Sequence, residues 1–148
     1  MMAYKIVEID TNTLTPNRAI GVKFPFNAPG VFQKTFTTFD QASTNVKTLL
    51  LTRKGERYLQ PNFGTDLLNI VFEPNVFELK DFISTTITDA ISFWLPYIII
   101  TELKIVTSDD DPNMIHNIMI SITFTVSGSE SEKTITIFAG EDGILKIE

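Results

Sequence analysis

The apolar residues change their spacing at Pro96, and that switch limits the possible folds more than any other feature of the chain. Before it, Val76, Leu79, Phe82, Ile83, Ile87, Ala90, Ile91 and Trp94 recur at three- and four-residue intervals, the pattern of an amphipathic helix. Asn75 stands at a capping position with Glu78 three residues on. Pro96 forbids continuation, because it lacks the amide hydrogen and its ring clashes with the preceding turn. Beyond it the period becomes two. Ile99, Thr101, Leu103 and Ile105 are predicted on one face, with Glu102 and Lys104 on the other. Ile118, Ile120, Ile122, Phe124 and Val126 alternate with Asn117, Met119, Ser121, Thr123 and Thr125. Ile135 and Ile137 alternate with Thr134, Thr136 and Phe138. Turn-forming stretches, Asp109 to Asn113 and Ser127 to Glu132, separate these runs. The expected fold class is α+β, an antiparallel three- to four-stranded sheet covered on one face by helices, with an N-terminal extended or β arm. Ile144 to Ile147 is expected to add a last strand or a tail.

The earlier part of the chain is read the same way. Residues 4–9 (YKIVEI) read as a short strand, and in residues 19–24 Ile20, Val22 and Phe24 alternate with Gly21 and Lys23. Pro16-Asn17 and Asn27 to Gly30 are breaks. A helix is expected from Thr38, with Gln41 at the capping-box spacing, Asp40 in its first turn and an apolar stripe of Phe39, Ala42, Val46, Leu49 and Leu50. Gly55 is expected to end it, with Arg53 and Lys54 in the last turn. A second helical piece covers Thr65 to Phe72, closed by Pro74. The expected organisation is a single domain overall, residues 1–37 forming strands or an arm and 38–148 a helix-on-sheet body.

Composition excludes several classes. The chain has 148 residues and no cysteine, so disulfide and thiolate–metal readings fall away. Its net charge is −6, and residues 75–148 alone carry four cations against twelve carboxylates, which speaks against nucleic-acid binding. No basic-then-apolar leader opens it, so secretion is not expected. No apolar run approaches the length of a membrane span. Twelve phenylalanines are many for such a chain; most are read equally well as core, and some as surface to be covered by partners.

The stretch from Leu51 to Glu73, LTRKGERYLQPNFGTDLLNIVFE, is a charged, structured connector between helices. Arg53 to Arg57, Pro61, Phe63, Gly64, Asp66, Leu67 and Phe72-Glu73-Pro74 fall in an order that resembles the signature of the baseplate wedge family of contractile-tailed phages. That family is often labelled lysozyme-like and includes a related baseplate subunit of type VI secretion systems. The resemblance covers roughly Leu49 to Val106. It implies a structural subunit of a virion tail baseplate, assembled in the host cytoplasm, that docks other wedge proteins and starts the tail sheath. A second point of resemblance is Leu95-Pro96-Tyr97, where many members carry Glu-Pro-Arg. Only the proline is kept, so two readings stand equally: an apolar and aromatic contact replaces the charge pair, or Trp94 simply ends the buried stripe and Tyr97 starts a strand. The expected partner-binding residues are Arg53, Lys54, Glu56, Arg57, Phe63, Asp66, Trp94, Pro96 and Tyr97.

Catalysis has weak support in the residues. A glycosidase needs two carboxyl groups flanking the scissile bond. Glu56, Asp66 and Glu73 are the candidates, yet each has a simpler role: Glu56 as an ion-pair partner of Lys54 or Arg57, Asp66 in the first turn of a helix, Glu73 paired with Arg53 or Arg57. The alternative function is therefore a baseplate-associated muramidase, and the leading expectation is no enzyme, no cofactor and no small-molecule substrate. A regulatory adaptor of the same fold is a third class, which the TRKGER and PNFGTDL strings disfavour. Asp109 to Asn113 fails as a calcium loop, because the sixth position is Met114 and the twelfth Ile120. His116 is the only histidine and has no partner for a metal site. The mechanism expected for docking the sheath is edge pairing, with the threonine-rich run Lys133 to Phe138 as a border strand that accepts an extended arm.

Overall fold

A computed structural model of the protein describes residues 19–24, 26, 32–71, 78–107, 110, 117–139 and 145–147. The chain forms two compact units, residues 1–44 and 45–148. The expectations for residues 4–9, Asn27 to Gly30, Glu73, Pro74, Asn75, Val76 and His116 lie outside the described residues.

In the first unit, β1 (Gly21–Val22) and β2 (Lys34–Thr35) form a two-stranded antiparallel sheet. Ile20 N–H donates to the Thr35 carbonyl at 2.8 Å and Lys23 N–H to that of Gln33 at 2.7 Å. Phe24, Phe26 and Phe32 stack edge to face, with centroids 5.5 and 5.6 Å apart. Helix α1 (Thr38–Leu51) begins here. Its cap is Thr37, one residue earlier than the expected Thr38: Asp40 N–H donates to Thr37 Oγ1 at 3.2 Å, and that hydroxyl donates back to the Asp40 carboxylate at 2.8 Å. Two adjacent threonines leave the sequence ambiguous, and the one whose oxygen meets the N3 amide wins.

The second unit is a helical layer on a four-stranded antiparallel sheet in the order β3-β4-β5-β6, giving an α+β fold. Its elements after α1 are α2 (Leu67–Val71), α3 (Leu79–Trp94), β3 (Ile98–Val106), β4 (Ile118–Val126), β5 (Glu132–Ala139) and β6 (Leu145–Ile147). Helix α3 lies against β3 and α2 against α3. The core joins Val46, Leu49 and Leu50 of α1 and Leu67 and Ile70 of α2 to Leu79, Ile83, Ile87 and Ile91 of α3. Opposite stand Ile120, Ile122 and Phe124 of β4 and Ile135 and Ile137 of β5, all buried. Each such side chain contributes roughly 1.5–3 kcal/mol of transfer free energy. The β4 alternation is as regular as its sequence implies, every second residue being buried.

Three expectations are corrected. The first concerns β3, where a register shift between Ile100 and Glu102 marks a bulge at Thr101. An extra residue reverses the alternation. Ile98, Ile100, Leu103 and Ile105 pair with Val126, Phe124, Ile122 and Ile120, all buried, so these four share the helix-covered face. Ile99 is turned to the other side and is 53% exposed, whereas the expectation grouped it with Leu103 and Ile105. Second, β5 is a border strand over only its first part, residues 132–136 having no outer neighbour among the described residues. Ile137, Phe138 and Ala139 pair with Ile147, Lys146 and Leu145 of β6, so the threonine-rich strand is enclosed over its last three residues. Among the described residues, the long strand with no neighbour on its outer side is β3. Third, Phe82 does not belong to the buried stripe of α3; it is exposed.

Candidate partner-docking site

The connector leaves α1 at Leu51, and its shape follows from a short series of hydrogen bonds. Thr52 N–H and Oγ1 both donate to the Thr48 carbonyl, at 3.1 and 2.6 Å, finishing the helix. Residues 53–56 then close a tight turn: Glu56 N–H donates to the Arg53 carbonyl at 3.1 Å, and Arg53 N–H to the Glu56 carboxylate at 3.0 Å. Gly55 occupies this turn with φ +87°. It therefore lies beyond the helix, and Arg53 and Lys54 follow the last turn instead of occupying it. Gly55 N–H reaches the Pro61 carbonyl at 2.7 Å, which draws residues 56–60 into a loop.

The far end of the connector is tied back to the helix it left. Thr65 N–H donates to the Thr52 carbonyl at 2.9 Å, and Arg53 and Thr65 form an isolated parallel bridge. The buried Thr65 hydroxyl donates to the Leu50 carbonyl at 2.9 Å, satisfying one of the orphan acceptors of a helix C-terminus. The backbone approach is close enough that a Cβ on Gly64 would collide with the Thr52 carbonyl, and Gly64 sits at φ +116°. Only glycine tolerates both conditions. Asp66 precedes α2, and its carbonyl accepts from Asn69 and Ile70 N–H at 2.9 and 3.1 Å.

Three of the sequence-predicted residues meet in a stack. The Arg57 guanidinium carbon lies 3.8 Å from the centre of the Phe63 ring, a cation–π arrangement. Phe63 meets Trp94 edge-on at 5.1 Å, and Trp94 meets Phe93 at 5.1 Å. Trp94 therefore does more than end the buried stripe of α3: it is half-buried and bears the connector's aromatic ring. Lys54 pairs with Asp66 at 3.1 Å, both about half exposed, a pair that contributes little in water. The Glu56 carboxylate binds the Arg53 amide and makes no ion pair with Lys54 or Arg57 among the described residues.

The remaining predicted residues lie apart from this stack. Pro96 is exposed, and Tyr97 is half-buried, its hydroxyl accepting from Asn45 Nδ2 at 2.8 Å and its carbonyl from Ser127 N–H at 2.9 Å. Tyr97 thus helps hold the fold. Leu95, which stands where many members of the resembled family carry glutamate, is buried.

Sequence reasoning missed four apolar side chains around the stack. Tyr58 and Leu59, at the tip of the connector, are 96% and 90% exposed, and Phe93 is 75% exposed. Phe82 and Phe93 share a second face of α3 with Thr86 and Asp89. Together with Lys54, Asp66 and Trp94 that face lines a groove of about 780 Å³. Helical spacing had placed Phe82 with the core, and no spacing rule marks Tyr58 or Leu59, so only coordinates could find them. No group of three or more His, Cys, Asp or Glu able to hold a metal exists among the described residues. None of the described helices is long and apolar enough to cross a membrane.

Known proteins share this fold. A chain of the anti-feeding prophage baseplate, solved by cryo-electron microscopy with six-fold symmetry imposed, superposes with a TM-score of 0.59 at 19% identity, covering 74% of this chain and 86% of its own. A crystal structure from Geobacter sulfurreducens, named provisionally as a tail lysozyme, superposes at 0.58 and 16% identity, covering 76% of this chain and 90% of its own. These likenesses establish a common fold. Among curated proteins, none matches this chain in sequence. The family profile described as baseplate wedge protein gp25 matches residues 40–131, which include the connector, the stack and most of the sheet. The match takes in more than half of the chain, and the protein belongs to the baseplate wedge protein gp25 family, a family of structural tail-baseplate subunits.

Proposed function

We propose that the protein is a non-enzymatic wedge subunit that docks neighbouring wedge proteins through its connector face. On this reading its sheet border also receives an extended segment of the tail sheath, in a particle assembled in the host cytoplasm. The observation that carries the reading is the connector itself. A loop pinned at both ends to α1 holds Arg57 on Phe63 and Phe63 on Trp94, while Tyr58 and Leu59 stand in water. Ordering that much exposed apolar surface serves no purpose in an isolated subunit, and rigid aromatic and arginine groups are the usual anchors of interfaces. The sheath contact draws support from β3, whose nine residues form one edge of the sheet among the described residues and can add a strand from outside. Arg57→Glu should leave the fold intact by circular dichroism and block wedge assembly; normal tails by electron microscopy would refute the docking role.

Glycan cleavage is the second reading, favoured by the groove that holds Asp66 and Asp89. Asp66 is engaged by Lys54 and Glu56 by its own turn, which weighs against it. A peptidoglycan zymogram separates the classes: clearing by the wild type that vanishes in Glu56→Gln or Asp66→Asn would establish the enzyme.

A further inference from the structure

Among the described residues, two guanidiniums on the connector lack a carboxylate partner. The segment 53–66 carries Arg53, Lys54 and Arg57 against Glu56 and Asp66. Asp66 is taken by Lys54, and Glu56 accepts the Arg53 amide. Arg53 and Arg57 make no ion pair among the described residues. The local excess of positive charge stands out in a chain whose net charge is −6.

The posture of Arg57 adds information. Its flat face is covered by Phe63, so its N–H groups are presented edge-on, in the plane where a guanidinium fork grips a carboxylate with two parallel hydrogen bonds. The stack fixes that plane in advance, which reduces the ordering cost of forming the pair. Beside it, Tyr58 and Leu59 offer apolar surface.

Resting on the docking role above, we propose that the connector tip reads an acidic–apolar segment of a neighbouring protein, with a carboxylate seated on Arg57 and adjacent apolar side chains covering Tyr58 and Leu59. Phosphate would suit the same fork, but an apolar tip on an acidic protein suits a polypeptide better than a nucleic-acid backbone.

The test uses assembled tails that contain this protein with Leu59 replaced by a photo-reactive phenylalanine analogue. Irradiation and mass spectrometry identify the captured segment. The expected capture is a peptide carrying Asp or Glu within a few residues of an aliphatic or aromatic side chain. Because Arg57→Glu is expected to block assembly, its capture is compared with that of the parent protein in lysates of cells producing the tail proteins, where the yield should fall about tenfold or more. Arg57→Lys, which keeps the charge but neither stacks nor forks, should lower it to a lesser extent. Capture of a segment without carboxylates, or capture of nucleic acid, overturns the acidic–apolar assignment while leaving docking in place; a yield indifferent to charge reversal overturns both. Tails that assemble normally and capture nothing overturn the docking role itself.

Discussion

Replacing Gly64 by alanine should cost far more stability than the same change at Gly55, although both glycines have positive φ. At Gly55, φ is +87° and nothing lies within 4 Å of the added Cβ. The cost is then that of holding an L-residue in a left-handed conformation, about 1–2 kcal/mol. At Gly64, φ is +116°, a region that residues with a side chain rarely adopt, and a conformation of this type costs about 1–3 kcal/mol. The new Cβ also meets the Thr52 carbonyl, which cannot swing away like the end of a long side chain. It must move with its backbone, breaking the 2.9 Å bond from Thr65 N–H and loosening the buried Thr65–Leu50 bond, at about 1 kcal/mol each. The sum is about 3–5 kcal/mol. Urea unfolding followed by circular dichroism measures it. With a slope of about 2 kcal/mol/M, Gly64→Ala should lower the midpoint by about 2 M and Gly55→Ala by less than about 1 M. Equal shifts at the two positions would refute the claim that backbone contact, and not φ alone, fixes Gly64.

Other outcomes follow from the same coordinates. Ile99→Thr should change stability by no more than about 0.5 kcal/mol, because the bulge turns Ile99 outward, whereas Ile122→Ala should cost about 2–5 kcal/mol in thermal or urea melts. A large loss at Ile99 would place the strand in the other phase. Asp110 accepts two bonds from Lys80 Nζ, at 2.7 and 2.8 Å, and one from Thr107 N–H at 3.0 Å. The Lys80 bond and then the Thr107 amide hold its carboxyl below the ordinary 3.8. Its contribution to stability is therefore complete above that value and is lost as pH falls from 3.8 through the folded-state pKa. Asp110→Asn should flatten the acid limb of the stability curve slightly and leave it unchanged in shape near neutrality; an unaltered acid limb would remove the Lys80 contact from the account. Thr65→Val strands the Leu50 carbonyl and should cost about 1–3 kcal/mol by chemical unfolding, with Thr65→Ser largely retaining stability.

Periodicity made α3, β4 and β5 legible, because each buries one face against a single neighbour layer. Ile118 to Val126 could be read directly: strict alternation has one physical solution in a sheet with one covered side. The bulge at Thr101 could not be read, since neither glycine nor proline marks it, and a single inserted residue reassigns every side chain before it. The position of β6 escaped for a related reason. Its pairing partner, Ile137 to Ala139, looks the same in sequence whether its outer side is open or closed. At the connector, residue types announced an interface, but geometry decided their roles. Glu56 was expected to pair with a cation and instead caps its own turn. Phe63 and Trp94, 31 positions apart in the sequence, form one stack that no spacing rule connects.

That stack has a practical corollary. Trp94 is the chain's only tryptophan, and it sits half-buried beside Phe63, one ring away from the arginine of the docking face. Its emission wavelength and intensity are thus set by the same few side chains that meet a partner. The protein carries an intrinsic fluorophore at its contact surface, so association can be followed optically in the native sequence without attaching a dye.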